Sequence, residues 1–213
     1  MDTGDHIVFI VDDDAGIRAA LADLLSSFDM HAVTFGSAAE YRAYPMPDLP
    51  TCLVLDVELP DINGLDLQTQ MARGDRPQIV FITGHGDIPS SVRAIKAGAV
   101  DFLTKPVKEA DLMRAINAAL AQSRAQREKD SELADLRQRL ASLTPREREM
   151  LPLVVSGLLN KQAAAELGIS EDTAQIHRGR VLQKMRARSI AELVRIANLL
   201  EIPIGQQKHR QED

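Results

Sequence analysis

Five polar residues stand at the ends of apolar runs in this chain. Asp12 and Asp13 follow IVFIV, Asp56 follows CLVL, Thr83 follows IVFI and Lys105 follows DFLT. If each run is a parallel strand, the five side chains meet at one edge of one sheet, where open α/β sheets bind ligands. Three carboxylates in one crevice repel one another. They are tolerable as anions around a hard cation, and oxygen ligands with room for water favour Mg²⁺. An aspartate held there can attack phosphorus to form an acyl phosphate. A metal and a lysine would neutralise charge on the transferring group, and Thr83 could hydrogen-bond the new phosphate. Asp14 reads as a helix N-cap rather than a ligand.

The elements that must position these residues follow from the alternation of the first half. Apolar runs at 7–11, 31–35, 52–57, 79–83 and 100–104 alternate with helical patterns at 15–28, 37–44, 63–72 and 88–97, and a further helical stretch starts at Glu109. Continuous apolar runs alternating with amphipathic helices predict an α/β fold: a doubly wound, five-stranded parallel sheet of flavodoxin-like type, covered on both faces. Right-handed crossovers follow.

Residues 108–143 contain neither Gly nor Pro, so one helix can continue out of this domain. Leu133, Leu136, Leu140 and Leu143 have the 3-4-3 spacing of a coiled-coil seam, but over only about two heptads. A linker that pairs with a second copy and a solvated linker are both open readings.

A third segment starts at Thr144-Pro145-Arg146-Glu147, with an N-cap threonine, proline at the first helical position and glutamate at the third. The helix should end near Ser156, before Gly157, with a kink at Pro152. Helices at 160–167 and 171–187, joined by Gly168-Ile169-Ser170, form a helix-turn-helix. A fourth helix is expected over 190–200, then a polar tail from Gly205 that reads as disordered. The predicted organisation is therefore 1–122, a helical linker 123–142, an all-α four-helix domain 143–204 and the tail 205–213.

Charge separates the two halves. Residues 1–143 carry 14 basic and 22 acidic side chains, and residues 144–213 carry 11 and 9, within a net charge of −6. Arg178, Arg180, Lys184, Arg186 and Arg188 form a run without an acid, which suits a polyanion such as double-stranded DNA. On the second helix of the pair, Thr173, Gln175, Ile176 and Gly179 can face base edges. His177, Arg178, Arg180 and Lys184, with Lys161 on the preceding helix, can face phosphates. No apolar run approaches the roughly 20 residues that span a bilayer. The acidic N-terminus lacks the basic start of a signal peptide, so no membrane association and a cytoplasmic location are expected. The single cysteine, Cys52, sits among apolar neighbours and excludes an intrachain disulfide.

Residues 5–122 resemble the receiver domain of two-component response regulators. The resemblance rests on Val11-Asp12-Asp13-Asp14, Leu55-Asp56 with Leu59-Pro60 and Asn63-Gly64, Ile82-Thr83-Gly84, and Phe102 ahead of Lys105-Pro106. It implies that a sensor histidine kinase phosphorylates Asp56. It also implies that Asp12 or Asp13, Asp56 and the Glu58 backbone carbonyl hold Mg²⁺, and that Thr83 and Lys105 contact the phosphoryl group. The Lys105–Pro106 bond would be cis, Phe102 would be the switch aromatic, and His85 lies where the family tunes phosphate lifetime. Residues 143–200 resemble the LuxR-type output domain, through Leu143 to Glu147, Asn160-Lys161, Leu167 to Ser170, Thr173, His177-Arg178 and Lys184-Met185. Ala163 and Ala174 replace larger aliphatics of the family, and Gly179 removes a possible base contact.

The pairing is that of FixJ/NarL-type transcription factors, which implies phosphorylation-controlled DNA binding and a homodimer, formed on phosphorylation or through the linker. Such a protein is not a dedicated enzyme, although it would dephosphorylate itself slowly. Two rival readings are a constitutive DNA-binding protein with a non-switching receiver and a phosphatase using Asp56 as nucleophile. The second would need a further acid, for which Glu58 is the candidate, and the helix-turn-helix argues against it.

Overall fold

The computed structural model describes residues 5–71, 77–84 and 86–203. His85 and the tail from Gly205 lie outside the described residues. The chain forms two compact units that divide between Arg127 and Glu128.

The first unit is a five-stranded, all-parallel sheet in the order β2-β1-β3-β4-β5. The strands are β1 (Ile7–Val11), β2 (Ala32–Phe35), β3 (Thr51–Asp56), β4 (Gln78–Thr83) and β5 (Asp101–Thr104). They alternate with α1 (Ala15–Ser26), α2 (Ala38–Ala43), α3 (Gly64–Gln70) and α4 (Ile88–Lys96), and α5 (Glu109–Ala141) follows β5. Every residue of β1 and β3 is buried, which is why these runs are apolar throughout instead of alternating.

Each face of the sheet has its own core. Phe9, Leu53, Leu55, Leu67 and Phe81 occupy one, and Val8, Ile10, Val54, Ile82, Leu112, Ile116 and Leu120 the other. Side chains alternate between faces along a strand, so neighbours such as Phe9 and Ile10 serve opposite layers. Phe9, Phe35, Tyr41 and Tyr44 pack with ring centroids 5.4–6.0 Å apart; all of these pairs but the tilted Phe9–Phe35 are edge-to-face, which adds to their burial. Cys52 is fully buried, which pushes its thiol pKa up. Ser123 of α5 accepts the backbone N–H of Thr51 at 3.0 Å, capping the buried start of β3.

In the second unit, α6 (Pro145–Val155), α7 (Asn160–Leu167), α8 (Glu171–Lys184) and α9 (Ile190–Leu199) enclose a single apolar cluster. Ala163 and Ala174 are both buried in it. The capping box at Thr144 and Glu147 is present, and α6 runs through Pro152 to Val155. Gly157 then takes a positive φ of 81°. The helix predicted over 171–187 stops at Lys184. Arg186 adopts a left-handed φ of 52°, and the Ala187 N–H returns to the Leu182 carbonyl at 2.9 Å. Arg186 and Arg188 therefore lie beyond the helix.

Three of the four leucines of the seam pack within the second unit. Leu136 and Leu143 are buried in the C-terminal cluster, and Leu140 packs against it. Their spacing records a helix laid onto its own domain.

Candidate functional site

The strand order brings the polar ends together. β1 and β3 are neighbours with Val11 opposite Leu55, so Asp12 and Asp56 emerge side by side. β4 adds Thr83 next to β3, and β5 leads to Lys105 beyond Thr104. Asp12, Asp56 and Thr83 are buried, and Asp13 is exposed. Carboxylate oxygens of Asp12, Asp13 and Asp56 lie within 4.8 Å of one another. The donor set is all oxygen and open on one side, which fits a hard divalent cation.

Lys105 holds this cluster in charge balance. Its Nζ donates to Asp12 Oδ2 and Asp56 Oδ2, each at 2.6 Å. Desolvation pulls the Lys105 pKa down. The hydrogen bonds and charges of the two aspartates outweigh it and leave the ammonium above its ordinary value. Lys105 is therefore cationic where a phosphoryl group would need it. The Lys105–Pro106 bond is cis, and the Lys105 N–H donates to the Thr83 carbonyl at 2.8 Å. Phe102 is half-buried against the core, its ring 6.0 Å from that of Phe81.

The loop after β3 shapes the other wall. Glu58 N–H donates to Asp56 Oδ1 at 3.1 Å, and Glu58 pairs with Asn63 across the turn. The Gly64 N–H donates to the Val57 carbonyl at 2.8 Å. A Cβ on Gly64 would stand 2.3 Å from the Asp56 carbonyl oxygen. Gly64→Ala is accordingly expected to destabilise the first unit by about 2 kcal/mol, as overpacking does. Urea denaturation monitored by circular dichroism checks this, and an unchanged midpoint would refute it.

Three nearby residues behave as helpers. Asp14 caps α1, accepting from Gly16 N and Ile17 N, and those bonds hold its carboxyl below the usual range. Arg18 Nη1 donates to the Asp12 carbonyl at 2.7 Å. Asp61 accepts from Ala38 N and Ala39 N at 3.3 and 2.9 Å, tying the β3–α3 loop to α2. Sequence reasoning missed Arg18, whose only signal was its place one turn into α1. The partners of Asp61 are more than 20 residues away in the sequence, so no local pattern marks its role.

In the second unit, Ser170 caps α8 and also pairs with the Thr173 hydroxyl at 2.7 Å. Gln175, Ile176, Gly179 and Arg180 are exposed on α8, and Lys161 is exposed on α7. His177 is half-buried, and its Nδ1 finds no hydrogen-bond partner among the described residues. Two of the basic residues assigned to phosphates have internal partners. Arg178 Nη1 donates to the Leu158 carbonyl at 3.0 Å and to Asn160 Oδ1 at 3.2 Å. Lys184 Nζ donates to Glu147 Oε2 at 2.6 Å and to the Ser142 carbonyl at 3.1 Å.

Comparison with known proteins identifies the two domains that carry these residues. Residues 8–117 match the family described as response regulator receiver domain, and residues 141–197 match bacterial regulatory proteins of the luxR family.

The chain is a response regulator.

This response regulator is 50% identical over 197 residues to Nodulation protein W of Bradyrhizobium diazoefficiens, covering 92% of this chain and 87% of that protein. It is 40% identical over 193 residues to the transcriptional regulatory protein FixJ of Azorhizobium caulinodans, covering 90% and 92%. Among solved structures, the response regulator StyR is similar with a TM-score of 0.80 at 43% identity, covering 92% of this chain and 99% of that one. The response regulator thus joins a flavodoxin-like receiver domain to a LuxR-type DNA-binding domain. Among the described residues no helix is long and apolar enough to cross a membrane.

Proposed function

We propose that this response regulator is a cytoplasmic transcription factor switched by phosphoryl transfer from a sensor histidine kinase to Asp56. The observation that carries this reading is the bridge from Lys105 to both Asp12 and Asp56 at 2.6 Å. It places one cation between a candidate nucleophile and a candidate metal ligand. In the transfer, an Asp56 carboxylate oxygen forms the new bond to phosphorus and the bond from phosphorus to the donor breaks. Asp12, Asp13, Asp56 and the Glu58 carbonyl would hold Mg²⁺, which neutralises charge on the phosphoryl oxygens when bound. Lys105 supplies a second positive charge, and the Thr83 hydroxyl donates to the product phosphate. Phe102, half-buried beside Phe81, follows Thr83 inward, and Pro106 fixes the path of the chain after Lys105. Slow hydrolysis of phospho-Asp56 resets the switch.

The output is duplex DNA with two half-sites, read by α8. Gln175, Ile176 and Gly179 face the bases, Thr173 stands near the entry of the helix, and Lys161, His177 and Arg180 face phosphates. Arg178 and Lys184 contribute positive field while their internal bonds shape the domain.

A homodimer is part of this reading. Ile88, Val92 and Ile95 form an exposed apolar stripe on α4, 79%, 44% and 48% accessible, at the i, i+4, i+7 spacing of one helical face. Leu136 and Leu140 of α5 pack in the C-terminal core, which favours the receiver as the pairing surface. Beryllofluoride with Mg²⁺, which mimics an acyl phosphate, is expected to double the mass in sedimentation and to tighten operator binding by about 5–150-fold. Operator affinity independent of beryllofluoride would support constitutive binding instead. A monomer under both conditions would remove the dimer.

A further inference from the structure

Gly179 has no role in the fold of its own domain. It lies inside α8 with an ordinary φ, and a Cβ placed on it meets no heavy atom within 4 Å. Other glycines show what a structural requirement looks like. A Cβ would collide at Gly64 and Gly86, and Gly98, Gly157 and Gly168 take positive φ. Among the described glycines, only Gly84 and Gly179 combine open space with an ordinary φ. Gly84 directly follows Thr83 at the rim of the acidic crevice. A helix-interior glycine weakens the helix relative to alanine, so Gly179 lowers the stability of its domain without a packing return.

Its surroundings suggest what it is for. Gly179 is one turn beyond Gln175 and Ile176 and next to Arg180, all exposed. Ile176, 53% accessible, is an exposed apolar side chain between the polar Gln175 and the basic Arg180 on the outer face of α8. The backbone amides within α8 are already hydrogen-bonded in the helix, so a bare Cα at 179 offers no donor. It offers a shallow notch with an apolar wall. Glycine permits such close approach of a backbone to a ligand, and the apolar group in the major groove is the 5-methyl of thymine.

We infer that Gly179 is a specificity-determining residue: the notch it leaves beside Ile176 receives a thymine methyl of the operator and brings α8 closest to the duplex there. This inference rests on the reading of α8 as the groove-entering helix. The test uses the full chain. Duplexes are first selected from a random pool with the wild-type protein. Each thymine of the selected site is then replaced by deoxyuridine, which removes only the methyl.

Gly179→Ala is expected to raise the melting temperature of the C-terminal transition by about 4 °C while binding the selected duplex roughly tenfold more weakly. Deoxyuridine at one thymine should weaken the wild type and relieve part of the loss in Gly179→Ala. Equal affinity of the two proteins for the selected duplex would overturn the inference. So would a loss that no deoxyuridine relieves, or a lowered melting temperature, which would mean that the fold needs the glycine. Failure of the wild type to enrich any duplex would instead defeat the DNA-binding reading itself.

Discussion

Asp56→Asn is expected to abolish the response of operator binding to beryllofluoride or to an acyl-phosphate donor, leaving the affinity of the unmodified protein in place. The amide keeps the size and one acceptor of the carboxylate, so it can still accept from Glu58 N–H, which now lies 3.1 Å from Asp56 Oδ1. It lacks the anionic nucleophile and one ligand of the carboxylate cluster. The whole coupling, about 1–3 kcal/mol, should disappear, because a ligand moves an equilibrium only through its differential affinity for the two states. Mass spectrometry after incubation with acetyl phosphate and Mg²⁺ checks the chemistry, and electrophoretic mobility shift checks the coupling. Phosphate incorporation in Asp56→Asn would assign the phosphoacceptor elsewhere. Retained stimulation without incorporation would uncouple DNA binding from the crevice.

Glu147→Ala is expected to have the largest effect on stability. Glu147 is buried, 1% accessible. One carboxylate oxygen, Oε2, accepts from the Thr144 N–H at 2.8 Å and from Lys184 Nζ at 2.6 Å. The side chain therefore closes the capping box of α6 and anchors the end of α8. Truncation removes both and leaves the Lys184 ammonium without its counter-charge, a loss on the order of 3 kcal/mol.

The pH dependence has a definite sign. The bond from Lys184 and then the bond from Thr144 N–H hold the Glu147 pKa below its ordinary 4.5. A depressed acid stabilises the folded state fully above the unfolded pKa, and that contribution is lost as pH falls through the folded value. Glu147→Gln should therefore lie below the wild type at neutral pH and approach it as pH falls below the ordinary glutamate value of 4.5. Denaturant midpoints of the full chain across pH 3–7, followed at the C-terminal transition, measure this. Parallel curves for the two proteins would show that the charge of Glu147 does not stabilise the fold.

Much of the crevice was legible because its residues are fixed by local grammar. A strand that is buried on both faces must be apolar along its length, so the first polar residue after it marks the strand end. Asp12, Asp56 and Thr83 were found this way, Lys105 follows the half-buried edge strand β5, and the parallel order β2-β1-β3-β4-β5 then places them together. Two helix starts were equally readable: Asp14 and Thr144 each accept a backbone N–H of the helix they precede.

The leucines at 136, 140 and 143 show where pattern stops. A 3-4-3 spacing says that one helical face is apolar, and it contains nothing about whether the partner is another chain or another part of the same one. The basic run of α8 shows the same limit. Arg178 and Lys184 look like Arg180 in the sequence, yet Arg178 bonds to Leu158 and Asn160, and Lys184 to Glu147 and Ser142. Those partners are 18 to 42 residues away, so no window of local sequence holds both ends.

By itself, then, the sequence determined the five strand-end residues, the capped helices and the identity of both domains, because apolar periodicity and capping are set by a residue's nearest neighbours. Only the tertiary structure decided that Lys105 bridges Asp12 and Asp56, that Asp61 ties the β3–α3 loop to α2, and that Leu136, Leu140 and Leu143 pack in the C-terminal core. It also separated Gly64, which the backbone of Asp56 requires, from Gly179, which nothing in its own domain requires. These are long-range contacts, and a contact between distant residues exists only once the chain has folded to make it.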